Sequence, residues 1–205
     1  MDRRPTRWER TDHRGYGAKF AQLHGSGQDI EGEARLADTM APRGARILDA
    51  GCGMGRVGGT LRARGHDAYG VDLDAALLEQ ARQTYPQLPT MLSRIDDLTP
   101  ETLSAQGFPT TYDLVVCVGN VMILGEPGSE RLMLERMRDL LAPDGRILVG
   151  FHTDATPPHS RVYPVAEFDA DVAAAGLRVD SRFGTYELRP YDPASNYAVS
   201  LLRRG

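Results

Sequence analysis

The chain has 205 residues, 41% hydrophobic and 25% charged, with a formal net charge of −4, a balance suited to one globular domain that buries about 70% of its unfolded surface. No apolar run approaches the ~20 residues of a membrane span and the first fourteen residues lack a secretory core, so the expectation is a cytoplasmic chain without a membrane partner. Cys52 and Cys117 stand outside any CxxC pair or His cluster, which argues against a disulfide framework and against a metal site, and the negative charge argues against general nucleic-acid binding.

The first fourteen residues are polar and aperiodic apart from Trp8, which predicts a loosely packed arm. Tyr16, Phe20 and Leu23 follow helical spacing, and after a Gly25-Ser26-Gly27 break Ile30, Ala34, Ala37 and Met40 do so again. From Arg43 short apolar runs alternate with amphipathic stretches, the rhythm of a parallel sheet covered by helices. The spacing predicts a strand over Ala45–Ala50, a glycine turn, and a helix that Gly65 closes beyond Arg64. A second strand covers Ala68–Asp72, and Asp74 caps a helix carrying Leu77, Leu78 and Ala81 on one face. Thr90–Ile95 reads as a third strand, and Tyr112–Gly119, apolar after Asp113, as a central one. Ser129 is placed to cap a helix bearing Met133, Met137, Leu140 and Leu141. Pro143-Asp144-Gly145 then turns into a fifth strand over Arg146–His152. Pro164 opens a helix that Gly176 ends. The last two strands, Leu177–Leu188 and Tyr197–Arg204, are joined too closely for a helical crossover and should pair antiparallel.

The chemistry concentrates in ILDAGCGMGR, Ile47 to Arg56. A glycine turn between a strand and a helix removes Cβ atoms where a ligand meets backbone, and the helix beyond offers free N–H groups. Gly51, Gly53 and Gly55 give GxGxG, and Arg56 stands where a dinucleotide fold places its third glycine. Asp49 puts a carboxylate at the strand end, which suits a cationic ammonium or sulfonium and repels a pyrophosphate. Asp72 lies nineteen residues after Gly53, the spacing at which an acid accepts hydrogen bonds from ribose hydroxyls. Singly, the turn is a tight connection and Asp72 a helix-capping carboxylate; together they favour an adenosine ligand.

DxGxGxG with the later Val71-Asp72 resembles the class I S-adenosylmethionine-dependent methyltransferase family, over roughly Arg43 to Gly205. The resemblance implies a Rossmann-like, doubly wound α/β fold with a seven-stranded, mostly parallel sheet in order 3-2-1-4-5-7-6 and an antiparallel last strand. It divides the chain into an N-terminal arm and helical lid, residues 1–42, and a methyltransferase domain, residues 43–205. By resemblance Gly51, Cys52, Gly53 and Gly55 line the cofactor, Asp49 holds the turn and the amino group, Asp72 takes the ribose hydroxyls and Leu73 covers adenine. The adenine edge falls to Arg94, Ile95 or Asp96, where the sequence departs from the family's acidic residue. Val118, Gly119 and Asn120 follow the fourth strand beside the methionine moiety. Arg56 is either a partner for the cofactor carboxylate or an exposed helix arginine, and Tyr16 either part of a lid or edge packing.

Methyl transfer from a sulfonium is an in-line displacement, for which positioning alone accounts for ~7–11 kcal/mol. A base is needed only where the acceptor is protonated at working pH. Asn120, His152, His159 and Tyr163 are the candidate catalytic residues, because ligands sit at the carboxyl ends of strands in such sheets. With no added domain the expected acceptor is a small molecule, turned over with release of S-adenosylhomocysteine by a monomer or homodimer. The competing readings are a non-catalytic S-adenosylmethionine-binding module and an NAD-dependent oxidoreductase.

Overall fold

The computed structural model describes residues 4–11, 15, 26, 29–157 and 159–205; the helical spacing at Tyr16, Phe20 and Leu23 lies outside them. The first described helix is α1, Gly32–Met40. It is followed by β1, Arg46–Ala50, α2, Arg56–Ala63, β2, Asp67–Asp72, α3, Ala75–Thr84, and β3, Thr90–Leu92. After a 3-10 turn at Ile95–Asp97 come α4, Pro100–Ser104, β4, Tyr112–Cys117, α5, Val121–Leu124, and α6, Glu130–Asp139. The chain closes with β5, Leu141–His152, α7, Val165–Ala174, β6, Leu177–Phe183, and β7, Tyr197–Arg204.

The strands form one seven-stranded sheet in order β3-β2-β1-β4-β5-β7-β6. β7 runs antiparallel to both its neighbours, and the other pairs are parallel. The expected topology is therefore present. Side chains of a strand alternate between faces, and the central strands are apolar on both. Ile47 packs under α1 and α2 with Val57 and Leu61, whereas Leu48 and Ala50 join Met133, Leu134 and Met137 of α6 on the other face. β4 splits likewise, Leu114 and Val116 to one side and Val115 and Cys117 to the other. Among the described residues no helix is long and apolar enough to cross a membrane.

Local chemistry explains most boundaries. Asp74 caps α3 through Oδ1, which accepts the backbone N–H of Ala76 and Leu77 at 2.9 and 3.2 Å. Four expectations are corrected. The third strand stops at Leu92, because Ile95–Asp97 turns and buries Ile95 and Asp96. Ser129 precedes α6 but does not cap it: its backbone is helical, φ −89° and ψ −3°, and its hydroxyl donates to the Glu126 carbonyl. β5 begins at Leu141, and Pro143-Asp144-Gly145 is a bulge within it, across which the register jumps from Tyr112–Leu141 to Leu114–Arg146. β6 ends at Phe183, well before Leu188, whose φ of 62° is incompatible with a strand.

The arm is also not loose where it is described. The N–H groups of Arg7 and Trp8 donate to the carbonyls of Gly125 and Leu124 at 3.1 and 3.0 Å. Thr6 is buried, and Arg7 pairs with the buried Glu130 at 3.1 Å. A polar arm docks here through backbone pairing and paired charge, which hydrophobic periodicity does not register.

Candidate active site

Sheet order reverses between β1 and β4, and a cleft opens at their carboxyl ends, where open α/β sheets hold ligands. Its empty space, open mouth included, is about 990 Å3. The floor is the glycine turn. The N–H groups of Gly51 and Cys52 both donate to the Val71 carbonyl, at 2.7 and 3.0 Å, and the Gly53 N–H donates to Asp72 Oδ2 at 2.7 Å. Gly51 has φ +89°, and a Cβ there would stand 2.4 Å from Val121 Cγ2, so only glycine fits. Gly55 serves packing: it is not on the cleft wall, and a Cβ on it would meet Leu88 at 3.0 Å.

Two carboxylates hold the turn from either side. Asp49, 2% exposed, accepts the Gly58 N–H of the first turn of α2 at 2.8 Å. Burial pushes its carboxyl up to about 7, against the pull of that hydrogen bond and of Arg56. Asp72 accepts Gly53 N–H on Oδ2 and Asp74 N–H on Oδ1, at 2.7 and 2.8 Å, and burial again raises its pKa. Both line the cleft, as do Cys52, Arg56 and Leu73. Burial also raises the Cys52 thiol well above its ordinary range, which keeps it protonated and unreactive. Arg56 forms a bidentate pair with Glu33 at 2.8 and 2.6 Å and also reaches the Ile30 carbonyl, so its guanidinium already has protein partners.

At the β3 end, Arg94, Ile95 and Asp96 all line the cleft. Arg94 grips Asp96 with two hydrogen bonds, 3.1 and 3.0 Å, and Glu126 with a third at 2.6 Å. Its charge is thus spent on carboxylates, which explains how an arginine occupies a place where the family has an acid: Asp96 sits beside it. At the β4 end Val118 and Gly119 line the cleft. Gly119 has φ +72° and no atom of a described residue within 4 Å of where a Cβ would stand, so among these residues its missing side chain leaves ligand space.

Asn120 and His152 meet just beyond. Asn120 Oδ1 lies 2.8 Å from the backbone N of His152 and 3.0 Å from its Nδ1. A backbone N–H only donates, so the shared atom is the amide oxygen, and Nδ1 must carry the proton. Nε2 then presents a lone pair. Burial lowers the His152 pKa, and the ring sits edge-on to Tyr197 at 4.7 Å. Neither residue is on the cleft wall itself, but Asn120 separates Gly119 from Val121, which both are. The other two candidates are not brought here. Tyr163 is fully buried, stacked on Phe151 at 5.4 Å with its hydroxyl on Asp171 at 2.7 Å. His159 is exposed and off the cleft wall, and Tyr16 lies outside the described residues.

Sequence reasoning missed Thr6 and Trp8 of the arm, Leu124 at the end of α5, and Gly125 and Glu126 just beyond it, all on the cleft wall. The available signal was one tryptophan in an otherwise polar stretch. Among the described residues no cluster suits a metal ion.

The comparisons agree with this geometry. A family model described as a methyltransferase domain matches residues 47–145. The crystal structure of a TehB-like SAM-dependent methyltransferase from Corynebacterium glutamicum is 34% identical, covers 94% of this chain and 97% of its own, and superposes with a TM-score of 0.81. The ubiquinone biosynthesis O-methyltransferase of Albidiferax ferrireducens is 26% identical over 87% of this chain and 72% of its own length. Two further proteins of that description are matched over 59% and 64% of their lengths. The 1,6-didemethyltoxoflavin-N1-methyltransferase of Burkholderia thailandensis, solved with S-adenosylhomocysteine and 1,6-didemethyltoxoflavin, shares the fold at 20% identity and a TM-score of 0.61, over 100% of this chain and 93% of its own. A sheet in this order, a glycine turn tied to Asp72, and the whole-chain relative at 34% identity lead to one conclusion: this chain belongs to the class I S-adenosylmethionine-dependent methyltransferase family.

Proposed function

We propose that this enzyme methylates a small molecule at a protic oxygen, a phenol or related hydroxyl, with His152 receiving the proton. The observation that carries the reading is the double acceptance by Asn120 Oδ1, which holds the imidazole as the Nδ1–H tautomer and leaves Nε2 basic. Burial keeps that ring neutral at neutral pH. Proteins named ubiquinone biosynthesis O-methyltransferase among the relatives support an oxygen acceptor. Neither the binding-module nor the nicotinamide reading is favoured, since the family model and the relatives are methyltransferases.

A cleft bordered by the glycine turn and Asp72, with no described residue filling the space over Gly119, supports S-adenosylmethionine as its ligand. Once bound, the cofactor supplies an electrophilic methyl on a sulfonium. In our reading Gly51, Cys52 and Gly53 line its methionine and ribose, and Asp72 takes the ribose hydroxyls on the remaining lone pairs of its two oxygens. Leu73 and the Ile95 N–H serve adenine, and Val118 and Gly119 border the methyl. Residues 1–42 act as a lid on the 43–205 domain. Arg4 and Arg7 are committed to Glu126 and Glu130, which supports a small-molecule acceptor over nucleic acid. We also place the enzyme in the cytoplasm, as a monomer or homodimer.

The test is a panel of phenols, catechols, thiols and amines with isotopically labelled S-adenosylmethionine. We expect turnover of hydroxyl acceptors, a fall of roughly 10²–10⁴-fold in kcat for His152→Gln, and loss of the acidic limb of the pH profile in that variant. Full hydroxyl turnover by His152→Gln would refute the assignment.

A further inference from the structure

We infer that Trp8, the chain's one tryptophan, is a cofactor-binding residue that covers the adenosine end of the cleft and so sets affinity for S-adenosylmethionine. The inference rests on the cofactor-cleft reading and adds to it a residue outside the glycine-turn motif.

Trp8 spans the two banks of the cleft. Its backbone N–H donates to Leu124 on the β4 side at 3.0 Å, and its indole Nε1–H donates to Asp74 Oδ2 on the β2 side at 3.0 Å. Asp74 in turn donates its N–H to Asp72 Oδ1 at 2.8 Å. The indole is therefore one residue removed from the carboxylate assigned to the ribose. The strap leading to it also reaches the β3 end, where the Arg4 carbonyl accepts from Arg94 at 3.3 Å and Arg4 pairs with Glu126. Trp8 and Thr6 both line the cleft, as do the apolar side chains of Leu73 and Ile95.

A tryptophan held by both its amide and its indole N–H keeps a fixed ring orientation. Half-buried on the core, it still presents apolar surface to the cleft. Flat heteroaromatic ligands gain from such surface by stacking and by exclusion of water. The chemical class it selects is an adenine nucleoside.

The experiment follows Trp8 emission during titration with S-adenosylhomocysteine, with calorimetry on the same sample. A saturable change at the calorimetric midpoint is expected, reproduced by 5′-methylthioadenosine and not by methionine. Trp8→Ala should lose tenfold or more in affinity and raise KM for S-adenosylmethionine with kcat little changed, and Trp8→Phe should recover most of the loss. A purely structural latch would lower the melting temperature of ligand-free Trp8→Ala while leaving its affinity intact. Emission unmoved while calorimetry reports binding, or wild-type affinity in Trp8→Ala, overturns the inference. Failure of calorimetric binding altogether overturns the cofactor-cleft reading with it.

Discussion

Gly53 and Asp72, nineteen residues apart, are joined by a 2.7 Å hydrogen bond from the backbone N–H of the first to Oδ2 of the second. The other carboxylate oxygen accepts the Asp74 N–H. The glycine turn after β1 and the end of β2 are thus one unit, and the carboxylate that shapes the floor of the cleft is the one assigned to the ribose.

Replacing Asp72 with Ala should weaken S-adenosylhomocysteine binding by roughly 1.5–3 kcal/mol, the cost of losing a charge-assisted acceptor and freeing the turn. Isothermal calorimetry measures this directly. Unchanged affinity would show that the carboxylate serves the turn alone.

Asp49 makes stability depend on pH. A carboxyl moved from its ordinary 3.8 to about 7 carries a penalty on the order of 4 kcal/mol for its charged form. Because the folded value is the higher one, its stabilising contribution is complete below 3.8 and is lost as pH rises through about 7. Asp49→Asn does not titrate, and its amide oxygen can still accept from Gly58. Melting temperatures from pH 4 to 8 should show the variant gaining on the wild type up to about pH 7 and holding level above it. A difference independent of pH would count against the buried, raised carboxyl.

Tyr163→Phe tests whether that ring belongs to the core. Removing its hydroxyl takes away the hydrogen bond it donates to Asp171 Oδ2 at 2.7 Å and should cost about 1 kcal/mol of stability. Denaturant unfolding would register this, while kcat and KM stay at wild-type values. A kinetic defect without loss of stability would return Tyr163 to the list of catalytic candidates.

What could be read directly was what is local. The apolar run Leu114–Cys117 announces a central parallel strand, because a strand buried on both sides has no polar alternation. The strand–turn–helix geometry requires glycines at Gly51 and Gly53, and the span of one βαβ unit puts Asp72 beside them. These are short-range constraints, and they carry the fold and the cofactor half of the site. Pairings between distant segments belonged to the tertiary structure. Asn120 meets His152 across 32 residues and Trp8 meets Asp74 across 66. Arg94 is neutralised by a partner two residues on and by another on a separate loop. Tyr163 left the candidates when Phe151 and Phe168 closed around it. A lone polar or aromatic side chain has the same sequence signature in a site, a core or a strap, and only the groups that folding brings within hydrogen-bonding or van der Waals distance assign it to one of them.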